Sequence, residues 1–165
     1  MSYAKRSFAS ICIAALALLN SPKALSQNKE SNHQDEIEVS KAINNVIGWA
    51  VNKDFDLFFQ TIANDSDFIS VTPYKKVKIG VNAVKKDTGF WASPYFKAIW
   101  HELHDLKIKF SQSGDVAWFY CVLDDINEWK GQPANWEKVR WTGVLERREG
   151  RWRVVQQHFS FPQEN

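Results

Sequence analysis

The C-terminal half of the chain consists of long runs of strand character, and these runs constrain the fold more than any other feature. Ile99–Phe110 alternates between apolar and polar residues, Val116–Leu123 is almost continuously apolar, and Val139–Arg147 follows as a third run. "SGD" at 113–115 is a turn signal, and "REGR" at 148–151 predicts a tight hairpin into a last strand. Strands joined by such short turns pair antiparallel in one sheet.

The N-terminal half predicts helices. Within 36–52 the apolar residues recur at the spacing of one helical face, and Asp54 is a natural N-cap for a second helix. Val81–Trp91 predicts a third, shorter helix, whereas Asp67–Val71 is a short strand that Pro73 must end. Helices followed by antiparallel strands predict an α+β fold. Three helices would pack on one face of a curved, mostly antiparallel sheet and enclose a pocket.

The first 26 residues are typical of a cleaved export signal. Lys5 and Arg6 precede the apolar run Phe8–Leu19, and the small residues Ala24 and Ser26 satisfy the rule for a cleavage site. The apolar run is twelve residues long, which is too short to span a bilayer. The sequence therefore predicts a mature protein in the periplasm or outside the cell, with no membrane attachment.

The domain organisation follows from the composition. We expect residues 1–26 to be the signal peptide, the polar stretch 27–35 to be a disordered tether, and 36–162 to form one domain. Removing the signal takes away three positive charges and no acid, so the formal charge falls from +2 to −1. A chain near neutrality has no electrostatic footprint for nucleic acid. Cys121 is then the single cysteine, and its apolar neighbours predict a buried, unreactive thiol.

Three segments carry a family resemblance. "GDVAWF" at 114–119, "RWTGVLERREGRW" at 140–152 and "VVQQHFSFP" at 154–162 follow the predicted helices, and together they resemble the SnoaL-like branch of the nuclear transport factor two superfamily. The resemblance covers Glu36 to Pro162. It implies a cone with a strongly bent sheet, a central pocket, and frequent pairing into homodimers through the outer sheet face. Such pockets serve isomerases, cyclases, dehydratases, epoxide hydrolases and ligand-binding proteins, so the fold alone does not name a function.

The last strand supplies the first candidate site residues. Simple alternation places Trp152, Val154, Gln156, His158 and Ser160 on one face. In a cone of this type the last strand shows one face to the pocket, so His158 and Ser160 would form its polar floor, with Gln156 beside them. The alternative is a core histidine that is hydrogen-bonded to a neighbour.

The second group of candidates lies on the two preceding strands. Asp124 and Asp125 either cap a turn, or one of them faces the cavity beside His158 as a general acid or base whose pKa burial would raise. Alternation does not decide which of the two points inward. Arg140 shares a face with Thr142 and, if inward, would hold a carboxylate; if outward, it is a solvated strand charge.

Aromatic and histidine residues complete the candidates. Trp91, Trp118 and Tyr120 are expected either in the core or in the pocket wall. "HELH" at 101–104 resembles a clipped metalloprotease signature, but spacing i, i+3 within a strand sends His101 and His104 to opposite faces. We therefore predict no metal site, and no cofactor.

Three functional hypotheses follow. The first is a protein that binds a small hydrophobic or carboxylate-bearing molecule oriented by Tyr120, Arg140 and His158. The second is a cofactor-independent acid/base enzyme of cyclase, dehydratase or hydrolase type, which would use His158 with Asp124 or Asp125. The third is a dimeric assembly module with a vestigial pocket, which would present a large apolar patch on its sheet.

Overall fold

The computed structural model describes residues 22–163, with side chains described from residue 33 onward. The chain divides into two units, Met1–Asp35 and Glu36–Asn165, and the fold and site discussed below belong to the second. Most of the expected export signal lies outside the described residues. The signal and its cleavage therefore remain predictions.

The first two helices precede the sheet. Helix α1 runs Pro22–Asn52 and passes through 27–35, where the composition predicts a tether; those residues are helical here, and no Gly or Pro interrupts them. Helix α2 runs Phe55–Thr61, and its predicted N-cap is confirmed, because Asp54 Oδ1 accepts from the backbone N–H of Leu57 at 2.9 Å. None of the helices in the described part of the chain combines the length and apolar character that a bilayer crossing requires.

The third predicted helix is divided in two. Instead of one helix over Val81–Trp91, α3 runs Val81–Lys85 and α4 runs Thr88–Ala92. The Thr88 hydroxyl donates to the carbonyl oxygen of Lys85 at 2.8 Å, which satisfies a carbonyl at the end of α3. A new helical turn then begins at Thr88 as α4.

The sheet is strongly curved and has seven strands. Its order is β2-β1-β7-β6-β4-β3, with β5 paired to β4 off this path. All neighbours are antiparallel except β1 and β7, which are parallel. The strands are β1 (Ile69–Val71), β2 (Val77–Ile79), β3 (Phe96–Phe110), β4 (Val116–Trp129), β5 (Gln132–Pro133), β6 (Trp136–Arg148) and β7 (Arg151–Ser160).

The hairpin between β6 and β7 has the predicted form. Glu149 and Gly150 form its two-residue loop, and both have positive φ, 51° and 74°. Positive φ at both central residues is the geometry of a type I′ turn, whose twist matches that of antiparallel strands. The turn thus fixes where the register of β6 and β7 starts.

A β-bulge interrupts the pairing of β6 with β7. Leu145 pairs with Val154 and Val144 pairs with Gln156, so Val155 has no partner on β6. Because side chains alternate with period two, one extra residue reverses which face every later residue occupies. In β7, the residues before the bulge and the residues after it therefore alternate between the two faces of the sheet in opposite phase.

Further register breaks bend β3 and β6. Asp105 in β3 and Lys138 in β6 lie at these breaks, each with φ of 53°. The break at Asp105 brings both Leu103 and Leu106 against the core. The break at Lys138 lies opposite Asp124, which accepts its backbone N–H. Bulges of this type give a sheet its curvature.

The core lies between the helices and the inner face of the sheet. Trp141 is fully buried, makes an edge contact with Phe119 and stacks on Phe159, with ring centroids 5.0 and 5.1 Å apart. Gly143 is required beside them, because a Cβ there would lie 2.5 Å from Phe119 Cε1. Cys121 is buried as predicted, and burial raises the pKa of its thiol to about 12.

Candidate functional site

A cavity of about 590 Å³ opens into the domain between the helices and the inner face of the sheet. Its volume lies in the range of small-molecule sites. Tyr74 and Phe90 line it and are exposed, so they mark its opening to solvent. Aromatic side chains form a large part of its wall: Trp49, Phe58, Phe68, Tyr74, Phe90, Trp91, Phe96, Trp136 and Phe159.

One carboxylate, that of Asp125, lies in this wall. It follows the buried Leu123 by two residues on β4 and therefore faces inward. Burial raises the pKa of Asp125 to about 6, although a hydrogen bond from Asn127 opposes the rise. Within the described residues no lysine, arginine or histidine forms an ion pair with Asp125. Its charge is thus uncompensated when it ionises.

Asn127 is the next inward residue of β4, and it holds an unpartnered acceptor in the cavity wall. The side chain is 6% exposed, and its Nδ2 donates to the backbone oxygen of Asp125 at 3.2 Å. A backbone oxygen can only accept, so this bond fixes the orientation of the amide. Oδ1 is then buried without a hydrogen-bond partner. An unmet buried acceptor costs about 1–3 kcal/mol, which a donor on a bound molecule would offset.

A second buried amide lies on the β7–β1 side of the same cavity. Gln157 Nε2 donates to Ser70 Oγ at 3.1 Å, and Gln157 Oε1 has no partner. The Ser70 hydroxyl can either donate or accept, so this amide can reverse without losing its bond. The Gln157 side of the cavity therefore accommodates either a donor or an acceptor.

The lysine in the cavity wall already has a carboxylate partner. Lys78 is buried, forms an ion pair with Asp87 and lies 4.7 Å above the ring centroid of Trp91. Burial alone would raise the pKa of Asp87, but hydrogen bonds from Lys78 and Lys76 outweigh it and lower that pKa. Lys78 is therefore already paired with Asp87, a carboxylate that it shares with the exposed Lys76.

Of the predicted site residues, the structure places Trp91 and Asp125 in the cavity wall. His158 and Ser160 do not line the cavity, and the predicted polar floor is corrected on this point. The cause is the bulge at Val155: beyond it the inward residues of β7 are Gln157 and Phe159, and His158 is exposed on the outer face.

Asp124 also lies on the outer face, where it stabilises the bulge of β6. Its Oδ1 accepts the backbone N–H of Lys138 at 2.7 Å, and its Oδ2 lies 3.0 Å from His104 Nε2. These two bonds, the backbone bond foremost, lower the pKa of Asp124 despite some desolvation. The predicted pairing of Asp124 with His158 in one cavity is not present.

Arg140 points outward as well. It is exposed, and its Nη2 donates to the backbone oxygen of Phe161 at 3.1 Å. Its register partner on β7 is Ser160, on the same outer face. Of the inward and outward orientations considered for Arg140, the structure therefore shows the outward one. In this position Arg140 cannot contact a ligand in the cavity.

The remaining predicted ligand residues do come together, but in a different place. They line a shallow groove of about 420 Å³ on the outer face of the sheet, flanked by Lys107 and Lys109. Trp118 and Tyr120 are 47% and 40% exposed there. The four predicted residues in this outer groove are Trp118, Tyr120, Thr142 and Gln156.

The two histidines of "HELH" lie on opposite faces, as predicted. His101 Nε2 bonds Asn44 Oδ1 of α1 at 2.9 Å beside Gly48, whereas His104 contacts Asp124 outside. Burial lowers the pKa of His101, which favours its neutral form. Over residues 22–163, no three His, Cys, Asp or Glu side chains come close enough to hold a metal ion.

Sequence reasoning missed Asn127, Gln157 and Ser70. The signal for Asn127 was available, because alternation from the buried Leu123 carries inward through Asp125 to Asn127. Gln157 was missed because the sequence contains no signal for the bulge at Val155, which turns Gln157 inward. Ser70 becomes a site residue only through the parallel pairing of β1 with β7, which no local pattern indicates.

Comparison with solved structures agrees with this architecture. An NTF2-like protein with a cystatin-like fold from Novosphingobium aromaticivorans superposes with a TM-score of 0.67 at 14% identity, over 89% of this chain and 94% of that one. An NTF2-like superfamily protein from Salmonella enterica superposes with a TM-score of 0.69 at 18% identity, over 81% of this chain and 94% of that one. A proposed dehydratase of the NTF2-like family from Streptomyces avermitilis superposes with a TM-score of 0.66 at 19% identity, over 81% of this chain and 99% of that one. At sequence identities this low, the three superpositions show a shared fold.

The sequence comparison identifies the family. No curated protein matches the chain. The sequence profile of the SnoaL-like domain matches residues 39–164, which is most of the chain and nearly all of the described domain. The α+β cone and the family resemblance expected from the sequence are thus confirmed: this protein belongs to the SnoaL-like domain family, and its fold is the one seen in NTF2-like proteins.

Proposed function

We propose that this protein binds a small, largely apolar molecule in its inner cavity, and that the molecule presents hydrogen-bond donors to Asp125 and Asn127. The observation that carries the proposal is the unpartnered Asn127 Oδ1, buried beside an uncompensated carboxylate in an aromatic cavity. Such an arrangement lowers the stability of the empty protein, and a donor on a ligand would reverse that cost.

The carboxylate-bearing ligand of the first hypothesis is disfavoured. Arg140, which would have held it, points away from the cavity. Lys78 is already paired with Asp87, and Asp125 would repel a second carboxylate once ionised. The apolar ligand of the same hypothesis fits the aromatic wall.

Proton transfer is a second candidate function. A carboxyl group whose pKa is about 6 is suited to act as a general base near neutral pH. Asp125 would act alone, since His158 and Asp124 lie on the other face of the sheet. The proton that a ligand group donates in a hydrogen bond to Asp125 is also the proton that Asp125 would remove. Binding is therefore the first property to test.

Two properties of the whole protein belong to the same proposal. We propose that the mature chain works in the periplasm or outside the cell, on the strength of the N-terminal sequence. We also propose a homodimer through the outer face of the sheet, supported by the exposed Trp118 and Tyr120 in the outer groove. Light scattering on the mature chain and on Trp118→Arg would test the homodimer, which the arginine should dissociate.

A fragment screen by NMR on the mature domain tests the binding proposal. We expect fragments to shift the resonances of Trp91, Asn127 and Trp136, which line the cavity. Asn127→Leu keeps the size of the side chain but removes its acceptor, and should weaken binding by about tenfold or more. Thr142→Val, in the outer groove, is the matched control and should change nothing. Shifts confined to Trp118 and Tyr120 would contradict the proposal.

A further inference from the structure

We propose that the molecule bound in the inner cavity is an organic cation, an apolar body carrying an ammonium group that lies against Asp125 and Asn127 Oδ1. This inference rests on the proposed function and narrows it to one chemical class. It follows from the hydrogen-bonding atoms, the charges and the rings at the β4 side of the cavity.

The free polar atoms on the β4 side are acceptors. Asp125 supplies carboxylate oxygens, and Asn127 supplies Oδ1, which has no partner. The two amide donors there are already bonded, Asn127 Nδ2 to the Asp125 backbone oxygen and Asn135 Nδ2 to Glu137 Oε1. A primary ammonium carries three donors and no acceptor, so it can satisfy several of these atoms at once.

The charges point to the same class. Lys78 is already paired with Asp87, which it shares with the exposed Lys76. His101 faces Asp125 across β3 and β4, but it bonds Asn44 and its burial favours the neutral ring. Ionised Asp125 is therefore the uncompensated charge of the cavity wall, and a buried charge is costly without a partner of opposite sign.

Aromatic rings suit a cation as well. Trp91 already receives one cation on its face, the Lys78 ammonium at 4.7 Å, which shows that the wall favours such contacts. Trp136, the register partner of Asp125 on β6, also lines the cavity. A ligand ammonium at Asp125 would thus have both a carboxylate and an indole close by.

The alternatives satisfy fewer of these groups. A hydroxyl group brings one donor and no charge, so it leaves Asp125 uncompensated. A carboxylate adds a second negative charge where the free atoms are acceptors. Among ligands with the same apolar body, the ammonium is therefore expected to bind best.

Three probes with one arylalkyl body separate these cases: phenethylamine, phenethyl alcohol and hydrocinnamate. Titration of the mature protein at about pH 8, followed by NMR of the Asn127 side-chain amide and the Asp125 carboxyl carbon, should show the amine binding about tenfold more tightly than the alcohol. Asp125→Asn should remove this preference and leave the two nearly equal. Asp124→Asn, the neighbouring carboxylate outside, should preserve it.

The outcomes distinguish the two proposals. If the alcohol or hydrocinnamate shifts the cavity resonances as strongly as the amine, the cation assignment is wrong while the proposed binding function stands. If the amine preference survives in Asp125→Asn, the assignment is also overturned. If no probe shifts a cavity resonance, or the shifts lie in the outer groove, both the assignment and the binding function fail.

Discussion

Asp124 and Asp125 are adjacent on β4, yet the two faces of one sheet give their carboxylates opposite properties. Outside, Asp124 accepts a backbone N–H and contacts His104, and its pKa falls. Inside, Asp125 lines an aromatic cavity and forms no ion pair with any described residue, and burial raises its pKa to about 6. The outer carboxylate thus stabilises local structure, whereas the inner one lowers stability and is available for a ligand.

The same contrast holds between neighbours on β7. Gln157 is buried with an amide oxygen that has no partner, while His158 beside it is exposed. On the inner face, the amide oxygens of Asn127 and Gln157 are buried without a hydrogen-bond partner. Buried polar groups left unsatisfied in a native fold commonly mark a functional site.

The largest expected effect concerns Asp125. Its native pKa of about 6 exceeds the unfolded value of 3.8, so between these values the folded state binds more protons and stability falls as pH rises. The rise of this pKa from 3.8 to about 6 corresponds to roughly 3 kcal/mol of stability, which is lost once the pH is above 6. Asp125→Asn stays neutral and should be more stable than wild type by about that amount at pH 8, as measured by urea unfolding.

This difference must vanish in acid. Below about pH 4 both Asp125 and its Asn replacement are neutral, so the two unfolding free energies should agree there. Equal stability at pH 8 would show that the Asp125 carboxylate is solvated, and the contrast between the two faces would fail.

The packing of the inner face provides the second test. Gly143→Ala places a Cβ 2.5 Å from Phe119 Cε1 and 2.7 Å from the Gln156 backbone oxygen, so the sheet must shift. We expect a loss of about 2 kcal/mol in unfolding free energy. Gly89→Ala is the control, because nothing lies within 4 Å of its new Cβ, and it should be neutral or slightly stabilising. Similar values for both variants would count against the close packing described.

The third test removes the carboxylate outside. Asp124→Ala leaves the Lys138 N–H without its acceptor, and stability should fall by about 1 kcal/mol at neutral pH. Asp124→Asn retains an acceptor oxygen and should lose less. Since its native pKa is lowered, the contribution of Asp124 is present above 3.8 and is lost as pH falls through the native pKa. A stabilising Asp124→Ala at pH 7 would reverse the assignment of the two faces.

The smallest effect is expected at His158. Its side chain is exposed on the outer face, so His158→Ala should change the unfolding free energy by less than about 0.5 kcal/mol. It should leave ligand binding in the cavity unchanged, as followed in the same NMR titration. Loss of cavity binding in His158→Ala would restore the arrangement that simple alternation predicts.

The fold was predictable because its signals are local and repeated. Long alternating runs, the "REGR" turn and the Asp54 cap each specify an element without reference to the rest of the chain, and all three agree. Family membership follows from the same segments. The division of the third helix was not predicted, although the hydrogen bond that accompanies it, from the Thr88 hydroxyl to the Lys85 carbonyl oxygen, is local.

The site was predictable only in part, for a physical reason. Alternation assigns a face correctly until a bulge adds a residue, and the bulge at Val155 separates the correct prediction for Trp152 from the incorrect one for His158. The bulge occurs at Val154 and Val155, and valine is common in regular strands as well, so these residues do not reveal it. On β4 no break intervenes between Leu123 and Asp125 on the β3 side, so Asp125 faces inward like Leu123; the sequence itself offers both Asp124 and Asp125 and leaves the choice between them open.

The most direct measurement is a pH titration of the Asp124 and Asp125 carboxyl carbons by NMR in the ligand-free mature protein. The account predicts that Asp125 titrates near pH 6 and that Asp124 titrates below its ordinary value of 3.8. This split would establish that the inner cavity holds an uncompensated, desolvated acid. Two carboxyls that titrate together near 3.8 would contradict it, because the cavity would then be wet and the candidate site would lose its distinguishing feature.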